Sequence, residues 1–334
     1  MTSRRQFLAA IPGMGLATAG SVAGQQAGDG GRSADRRVPL EPADDGAFKF
    51  ETDALVGLIQ PNGAYHGVTR LTDKRTGRQW IDERYSALNL FKLQSVNHCM
   101  GQPRENPREI AVSEKSVAVR WPATEAHRGE IVATYEVLEP DIIECTVSVR
   151  IAGAYAGYEV FMSSYFEKSA RPNVYLKSRF ANEPDQRVTP GVNDVFRNCL
   201  LVFPRDSNAA QLCVDGRWDR SEGGVPVVQN IPVRHYARCL AFFSDPEQTS
   251  AVTVMSHPRD AYALSTRYHA DNEEDRQTSY SAVDFSLCGQ DLADGDVRTM
   301  RVRMALTELD EPMSQPTELY AGYLLERDQA GADR

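Results

Sequence analysis

From residue 48 onward, hydrophobic and polar side chains alternate with a period of two rather than 3.6. Phe48–Glu51 alternates in this way, and Ile131–Leu138 and Ile142–Ile151 are two longer runs of the same kind. Such runs, separated by Gly, Pro, Asn and Asp, predict short antiparallel strands. Further strands are predicted at Ala54–Ile59, Tyr65–Leu71, Leu88–Val96, Glu109–Val112, Val117–Trp121, Tyr158–Phe166, Asn173–Phe180, Gln211–Val214, Cys239–Phe243, Ala251–Ser256, Tyr262–Tyr268, Tyr280–Leu287 and Val297–Leu306.

Helical patterns are rare in this chain. No long amphipathic helix separates the predicted strands, so βαβ units and a parallel sheet are not expected. The one helical pattern is C-terminal, where Pro316 suits a first turn. Its apolar residues share one helical face: Leu319, Tyr320, Tyr323 and Leu324. The chain is therefore predicted to be all-β, with one large antiparallel β-sandwich over residues 47–312 and a short helix and tail over 313–334.

The first 23 residues differ from the rest. Arg4 and Arg5 precede an apolar stretch that ends in Ser21-Val22-Ala23, small residues typical of a signal-peptidase site. Pro12 and several glycines interrupt the stretch, which is too short to span a membrane, and the mature protein is predicted to have no membrane span. The arginine pair resembles the twin-arginine export signal. That resemblance implies a bacterial protein, recognised by the twin-arginine translocation machinery and periplasmic or secreted.

Residues 24–46 contain almost no large apolar side chains, and we expect a disordered linker there. The whole chain has 37 basic and 46 acidic residues, a formal charge of −9. Removing residues 1–23 takes away two arginines and no acids, so the mature balance is 35 minus 46, or −11. Because binding of nucleic-acid phosphates needs a basic face, nucleic acid is not expected as a partner.

Metal and cofactor motifs are missing from the sequence. None of the six cysteines has CxxC spacing, and no two histidines have the spacing of a zinc site, so neither a metal nor a cofactor is predicted. The cysteines are expected to be mostly buried thiols, with room for one disulfide. Two acidic runs, residues 271–275 and 291–296, contain possible Ca²⁺ ligands, although solvated charge is the more common interpretation.

The opening of the domain resembles the first hairpins of galactose mutarotase-like supersandwich proteins. The similar segments are Leu55 to Ala64 and Gly67 to Trp80, the second of which contains a Thr-Gly-Arg turn. The resemblance implies a supersandwich over roughly residues 48–310 that binds carbohydrate on a concave sheet face. Aldose epimerases of this superfamily carry an Asn-His pair. Asn97-His98 is similar to that pair, although Cys99 follows it, and the resemblance implies substrate binding by Asn97 and acid–base chemistry by His98.

The residues themselves indicate a site on strand 173–180. Period two places Tyr175, Lys177 and Arg179 on one face of this strand. The two cations would bind the carboxylate of an acidic sugar, and Tyr175 would transfer a proton. The alternative is an exposed strand face with solvated Lys and Arg side chains.

Four further residues complete the predicted site. Arg197 lies in a polar segment where it could bind substrate, or could belong to ordinary loop chemistry. Trp218, in a polar turn, could stack on a sugar ring or be simply half-buried. His235 and His269 each neighbour Tyr and Arg, a setting that suits proton transfer, although most single histidines have structural roles.

Together these patterns predict an exported carbohydrate-binding protein that acts on a sugar or acidic polysaccharide as a lyase or epimerase. The alternative function is a non-catalytic carbohydrate-binding or structural module of the cell envelope. The sequence contains no Rossmann fingerprint, P-loop, GxSxG elbow or HExxH motif, so nucleotide binding and serine hydrolysis have no support from motifs.

Overall fold

The computed structural model describes residues 36–96, 98–180, 182–190, 199–213, 228–230, 234–267 and 280–332. The predicted signal peptide lies outside these residues. The strands are β1 (Glu41–Pro42), β2 (Phe48–Glu51), β3 (Leu55–Gln60), β4 (Gly67–Asp73), β5 (Asn89–Ser95), β6 (His98–Cys99), β7 (Glu109–Val112), β8 (Ser116–Trp121), β9 (Gly129–Leu138), β10 (Ile142–Ile151), β11 (Tyr155–Phe166), β12 (Arg171–Leu176), β13 (Gln186–Val188), β14 (Cys199–Pro204), β15 (Val228–Asn230), β16 (Tyr236–Ser244), β17 (Ser250–Ser256), β18 (Ala261–Arg267), β19 (Ser281–Leu292) and β20 (Val297–Glu308). The helices are α1 (Ser207–Cys213) and α2 (Gln315–Ala332).

The described strands form three sheets. The largest has nine strands in the order β13-β12-β16-β17-β20-β10-β9-β8-β7, and the second has seven in the order β15-β14-β18-β19-β11-β5-β6. β1 to β4 form a four-stranded meander. Neighbouring strands are antiparallel except for β14 and β15, which are parallel. The predicted all-β antiparallel sandwich with a C-terminal helix is confirmed.

The two large sheets pack face to face. The Phe166 ring of β11 stacks on the Phe243 ring of β16 with centroids 4.3 Å apart. Tyr135 of β9 donates a hydrogen bond to the carbonyl oxygen of Leu88, beside β5, at 2.8 Å. Because period two sends alternate residues to opposite faces, β9 alternates strictly between buried and half-buried side chains. The main hydrophobic core therefore lies between the two sheets.

The seven-stranded sheet is buried on both of its faces, which positions the candidate site. Val160 and Met162 of β11 join the main core on one face. Phe161, Ser163 and Tyr165, on the opposite face of the same strand, are also buried. Polar side chains are unusual on a buried face of a sheet, and they need hydrogen-bond partners there.

The predicted strand over 173–180 ends early, at Leu176. The Ser178 hydroxyl accepts a hydrogen bond from the Phe180 backbone N–H at 3.2 Å and donates one to Glu183 at 2.9 Å. A serine that bonds locally in this way turns the chain and competes with strand pairing. The predicted row of Tyr175, Lys177 and Arg179 on one strand is therefore wrong.

The predicted strand Gln211–Val214 is also wrong where the structure describes it, because residues 207–213 form α1. The Asp206 carboxylate accepts a hydrogen bond from the Ala209 backbone N–H at 2.9 Å, which caps the helix. An apolar run this short does not distinguish a strand from one buried turn of helix.

The ordered domain also begins before residue 47, because Val38 and Leu40 are 7% and 6% exposed. Their backbone N–H groups donate hydrogen bonds to Val137 and Glu114 at 2.9 and 2.8 Å. Two apolar side chains thus anchor part of a segment that the sequence predicts to be linker.

The C-terminal helix α2 packs on the nine-stranded sheet, and Tyr320 and Tyr323 are buried as the helical pattern predicts. Arg303 of β20 lies 2.9 Å from Glu144 and 2.7 Å from Glu326 of the helix. No helix in the described ranges is both long and apolar enough to cross a membrane. Three cysteines in the described part of the chain are buried free thiols: Cys145, Cys239 and Cys288.

Candidate functional site

A pocket with about 390 Å³ of free space lies on the seven-stranded sheet, on the face opposite the main core. β5, β11, β14, β18 and β19 all contribute side chains to it. Its walls are mainly aromatic, and its floor contains one carboxyl, one guanidinium and one hydroxyl. The lining residues are Phe91, Phe161, Ser163, Tyr165, Leu200, Arg267, Tyr280, Ala282 and Asp284.

Strand register places the polar residues of the floor in one row. Asp284 of β19 lies directly opposite Ser163 of β11 on one side and Ser265 of β18 on the other. Asn89 of β5 lies opposite Ser163 and continues the row. Directly opposed residues of antiparallel strands project from the same face, so four polar side chains cross the sheet side by side.

Asp284 is the central group of this row. Its side chain is buried, with 5% of the residue exposed, and its carboxylate accepts a hydrogen bond from the Ser265 hydroxyl at 3.3 Å. Burial raises the pKa of Asp284 to about 6, and hydrogen bonds from Ser163 and Ser265 and the charge of Arg267 offset only part of that effect. This carboxyl therefore changes its protonation state near neutral pH.

Arg267 and Tyr280 form a hydrogen-bonded pair beside Asp284. The Arg267 Nη1 atom donates a hydrogen bond to the Tyr280 hydroxyl at 2.6 Å. Burial raises the pKa of Tyr280, and the guanidinium opposes that rise. The Arg267 Nε atom is buried and has no hydrogen-bond partner in the described part of the chain. Tyr280 is thus a phenol held in place by a cation at the wall of the pocket.

Four tyrosine rings pack together at one side of the pocket, where Tyr165 and Tyr280 are lining residues. Tyr165 lies 5.1 Å from Tyr280 and 4.7 Å from Tyr85, measured between ring centroids. Tyr65 completes the group at 4.8 Å from Tyr85 and 5.8 Å from Tyr165. Interlocked aromatic rings resist rearrangement, so this side is a preformed surface rather than a set of independent side chains.

The predicted substrate strand belongs to the other large sheet. The Tyr175 ring of β12 packs against Phe242 with centroids 6.1 Å apart, and its hydroxyl donates to the Met313 carbonyl at 3.4 Å. Lys177 is exposed and donates to the Arg205 carbonyl at 3.0 Å, and Arg179 is exposed beyond the strand end. These residues lie outside the pocket lining.

Of the predicted histidines, His235 lies next to the predicted substrate strand, whereas His98 belongs to the other large sheet. His98 lies in β6 at the edge of the seven-stranded sheet, where its backbone pairs with Ser95. His235 precedes β16 of the nine-stranded sheet, and its carbonyl accepts from the Lys177 backbone N–H at 2.9 Å. The other predicted site residues lie outside the described residues: Asn97, Arg197, Trp218 and His269.

The acidic runs proposed as Ca²⁺ ligands have other partners where they are described. Asp291 accepts a hydrogen bond from the Gly157 backbone N–H at 2.8 Å, and Asp296 accepts one from Ala293 at 2.9 Å. The run over 271–275 lies outside the described residues. Across the ranges that the structure describes, no group of three or more His, Cys, Asp or Glu is placed to hold a metal ion.

The pocket residues were not among the sequence-predicted site. The strand Tyr280–Leu287 was predicted, and within it Asp284 and Ser286 alternate with Val283, Phe285 and Leu287. A carboxyl at the centre of a strongly apolar strand is a signal for a functional group, because a buried charge is costly. Finding its partners Arg267 and Ser163 required the strand pairing.

No family model and no curated protein matches this chain. Several solved structures are similar to it. A putative aldose 1-epimerase from Escherichia coli K12 aligns with a TM-score of 0.46 and 11% identity, covering 79% of this chain and 99% of its own. A heparan sulfate lyase from Pedobacter heparinus aligns with a TM-score of 0.43 and 7% sequence identity. The alignment covers 81% of this chain and 36% of the lyase.

A third similar structure, a TPR-domain containing protein from Parabacteroides distasonis, aligns with a TM-score of 0.46 and 10% identity. The match covers 78% of this chain, which spans about half (47%) of that protein.

Proposed function

We propose that this chain binds a carbohydrate in the pocket on the seven-stranded sheet. The observation that carries this proposal is the combination of aromatic walls with a polar floor. A sugar ring has apolar C–H faces that pack on aromatic rings, and a rim of hydroxyls that pair with carboxyl, guanidinium and hydroxyl groups. Tyr165 and Tyr280 supply the first kind of surface, and Asp284, Arg267 and Ser163 supply the second.

The size of the pocket supports a small ligand or a single unit of a longer one. Its free space of about 390 Å³ includes open solvent at the mouth, so the enclosed part of the pocket holds only part of a long ligand. Because the polar floor is held by strand pairing, it needs little rearrangement to receive a ligand. Preorganisation of this kind favours affinity by reducing the entropy lost on binding.

The binding proposal is tested with matched tyrosine variants. Tyr165 in the pocket and Tyr175 on the other sheet are both 8% exposed, so Tyr165→Leu and Tyr175→Leu remove comparable buried rings. Calorimetric titration with a panel of neutral and acidic oligosaccharides is expected to show about tenfold weaker binding for Tyr165→Leu only, a change of about 1.4 kcal/mol. Equal losses in both variants, with equal unfolding temperatures, would argue against this pocket.

Acid–base catalysis is a second function that one observation favours. A buried carboxyl whose pKa is about 6 is suited to accept a proton from a substrate and return it near neutral pH. The Tyr280 hydroxyl, held by Arg267, is a second group in the pocket that can donate a proton. These roles match either the elimination catalysed by a lyase or the proton exchange of an epimerase. The alternative remains a binding module without turnover.

Asp284→Asn separates catalysis from binding, because asparagine keeps the shape of the side chain and removes the titrating proton. An enzyme is expected to lose turnover in this variant while retaining sugar affinity within a few-fold. Lyase activity is followed by the unsaturated product, and epimerase activity by NMR exchange of the ring proton. If the natural chain binds a sugar and turns over none of the panel, the binding module is the correct function.

The predicted export route is a separate proposal. It rests on the Arg4-Arg5 pair and the apolar stretch that follows it. Residues 1–46 fused to a reporter are expected to direct export in bacteria, and replacement of both arginines by lysine is expected to abolish it. Export that persists after the double replacement would exclude a twin-arginine signal.

A further inference from the structure

Arg104 lies beside the aromatic lining of the pocket. Its guanidinium carbon lies 5.1 Å from the centroid of Phe91, a pocket-lining residue, and 5.2 Å from the centroid of Tyr65. The Tyr65 ring in turn contacts Tyr165. A guanidinium held by two rings in this way is stabilised by the negative faces of both rings.

The backbone beside Arg104 is fixed by its neighbours. Arg108 donates a hydrogen bond to the Arg104 carbonyl at 2.6 Å, and Trp121 donates one to the Pro103 carbonyl at 2.9 Å. The Arg104 side chain is 23% exposed, so it is partly buried yet accessible to a ligand. The cation is therefore positioned before any ligand arrives.

Within the described part of the chain, the guanidinium of Arg104 has only a weak charged partner. Its Nε atom lies 4.0 Å from the carboxylate of Glu105, whose side chain is 62% exposed. An exposed pair at this distance contributes little, because water screens it. The fork of N–H donors that matches an oxyanion in two-point fashion is thus available on Arg104.

Charges around the pocket favour an anion despite the acidic chain. Arg104, Arg267 and the buried Lys92 lie on or beside this face, against the carboxyls of Asp284 and Glu159. Asp284 is protonated for part of the time near pH 6 because of its burial. Glu105 is a third carboxyl beside this face, but its side chain is 62% exposed and screened by water, so the less exposed charges favour a ligand with negative charge even in a chain of net charge −9.

We propose that the pocket selects an anionic sugar and that Arg104 binds its oxyanion. This inference rests on the proposed carbohydrate function and names its substrate class. The shared chemistry is a sugar bearing an oxygen anion, either the carboxylate of a uronic acid or a sulfate ester. Arg104 acts as the specificity-determining residue, since the aromatic walls bind neutral and acidic rings alike.

The test compares oligosaccharides of one backbone in neutral, uronate and sulfated forms, using calorimetry at low and high salt. The natural chain is expected to bind at least one acidic form about ten- to a hundredfold more tightly than the neutral form. Arg104→Gln is expected to remove that preference while leaving neutral affinity within about threefold. Arg104→Lys keeps the charge without the two-point fork and is expected to retain part of the preference.

Arg78 offers a matched control, because its guanidinium also lies over an aromatic ring, 4.7 Å from the centroid of Trp80. Arg78→Gln is expected to leave both affinities unchanged, and thermal unfolding confirms that each variant is folded. Equal binding of neutral and acidic forms, or a preference that survives Arg104→Gln, overturns the inference while the carbohydrate proposal stands. Failure of every sugar to bind overturns both. The uronate and sulfate arms identify which anion is recognised.

Discussion

Replacing Asp284 by asparagine is expected to stabilise the folded chain above pH 6 and to have little electrostatic effect below pH 4. The Asp284 carboxyl is buried on the sheet, and burial raises its pKa from 3.8 to about 6. Its ionised form is therefore less stable in the folded chain than in water. Asparagine resembles the protonated acid in shape but never ionises.

The magnitude follows from linkage between protonation and folding. A difference of about two pH units between the unfolded and folded pKa corresponds to about 3 kcal/mol. Below pH 3.8 the carboxyl is protonated in both states, so neither chain has the advantage. As the pH rises through about 6, the natural chain loses up to that 3 kcal/mol relative to Asp284→Asn, and the difference stays constant at higher pH.

Urea unfolding at half-unit intervals from pH 4 to pH 8 measures the free-energy difference between the two chains directly. Asp245 provides a control of opposite sign. Burial alone would raise its pKa, but hydrogen bonds from Thr249 and Ser250 outweigh burial and lower it. Asp245→Asn is therefore expected to destabilise the chain, by an amount that grows as the pH rises to about 3.8 and is nearly constant across the measured range. A pH-independent difference for Asp284→Asn would refute the reasoning.

Three further predictions concern stability and reactivity. Glu144→Gln leaves two arginines without their buried carboxylate partner and is expected to cost about 3–5 kcal/mol in urea unfolding at pH 7. Gly57→Ala is expected to lower the free energy of unfolding by about 1–3 kcal/mol, because the new Cβ would collide with the Arg70 carbonyl oxygen. Gly322→Ala, in open space on α2, is expected to raise the free energy of unfolding by up to about 1 kcal/mol. Cys239, whose pKa burial raises to about 12, is expected to resist a thiol reagent until urea unfolds the chain, and modification of the folded chain would contradict its burial.

Much of the sheet architecture can be predicted from the local alternation of hydrophobic and polar residues. Ile142–Ile151 is predicted and observed with the same bounds, because the alternation from Cys145 to Ile151 on one buried face leaves a single acceptable register. The helix around Tyr320 and Tyr323 is predicted for the same kind of reason, since its apolar residues recur at helical spacing.

The candidate site is harder to predict from the sequence, because its chemistry depends on pairing between strands that are distant along the chain. Tyr175, Lys177 and Arg179 look like one face in sequence, yet the local hydrogen bonds of Ser178 end the strand between them. Asp284 stands out in the sequence as a carboxyl within an apolar strand, but its neighbours Ser163 and Ser265 are identified only by the strand pairing. Pattern predicts which residues alternate, whereas tertiary pairing decides which polar side chains converge.

The order of strands in the two large sheets also sets when the chain can fold during synthesis. β10 lies beside β20 and β11 lies beside β19, although each pair is separated by more than a hundred residues of chain. A nascent chain that has emerged only to β18 would expose unpaired edges at the centre of both sheets, and such edges invite association with other chains. We therefore expect the two large sheets to close only after synthesis is nearly complete.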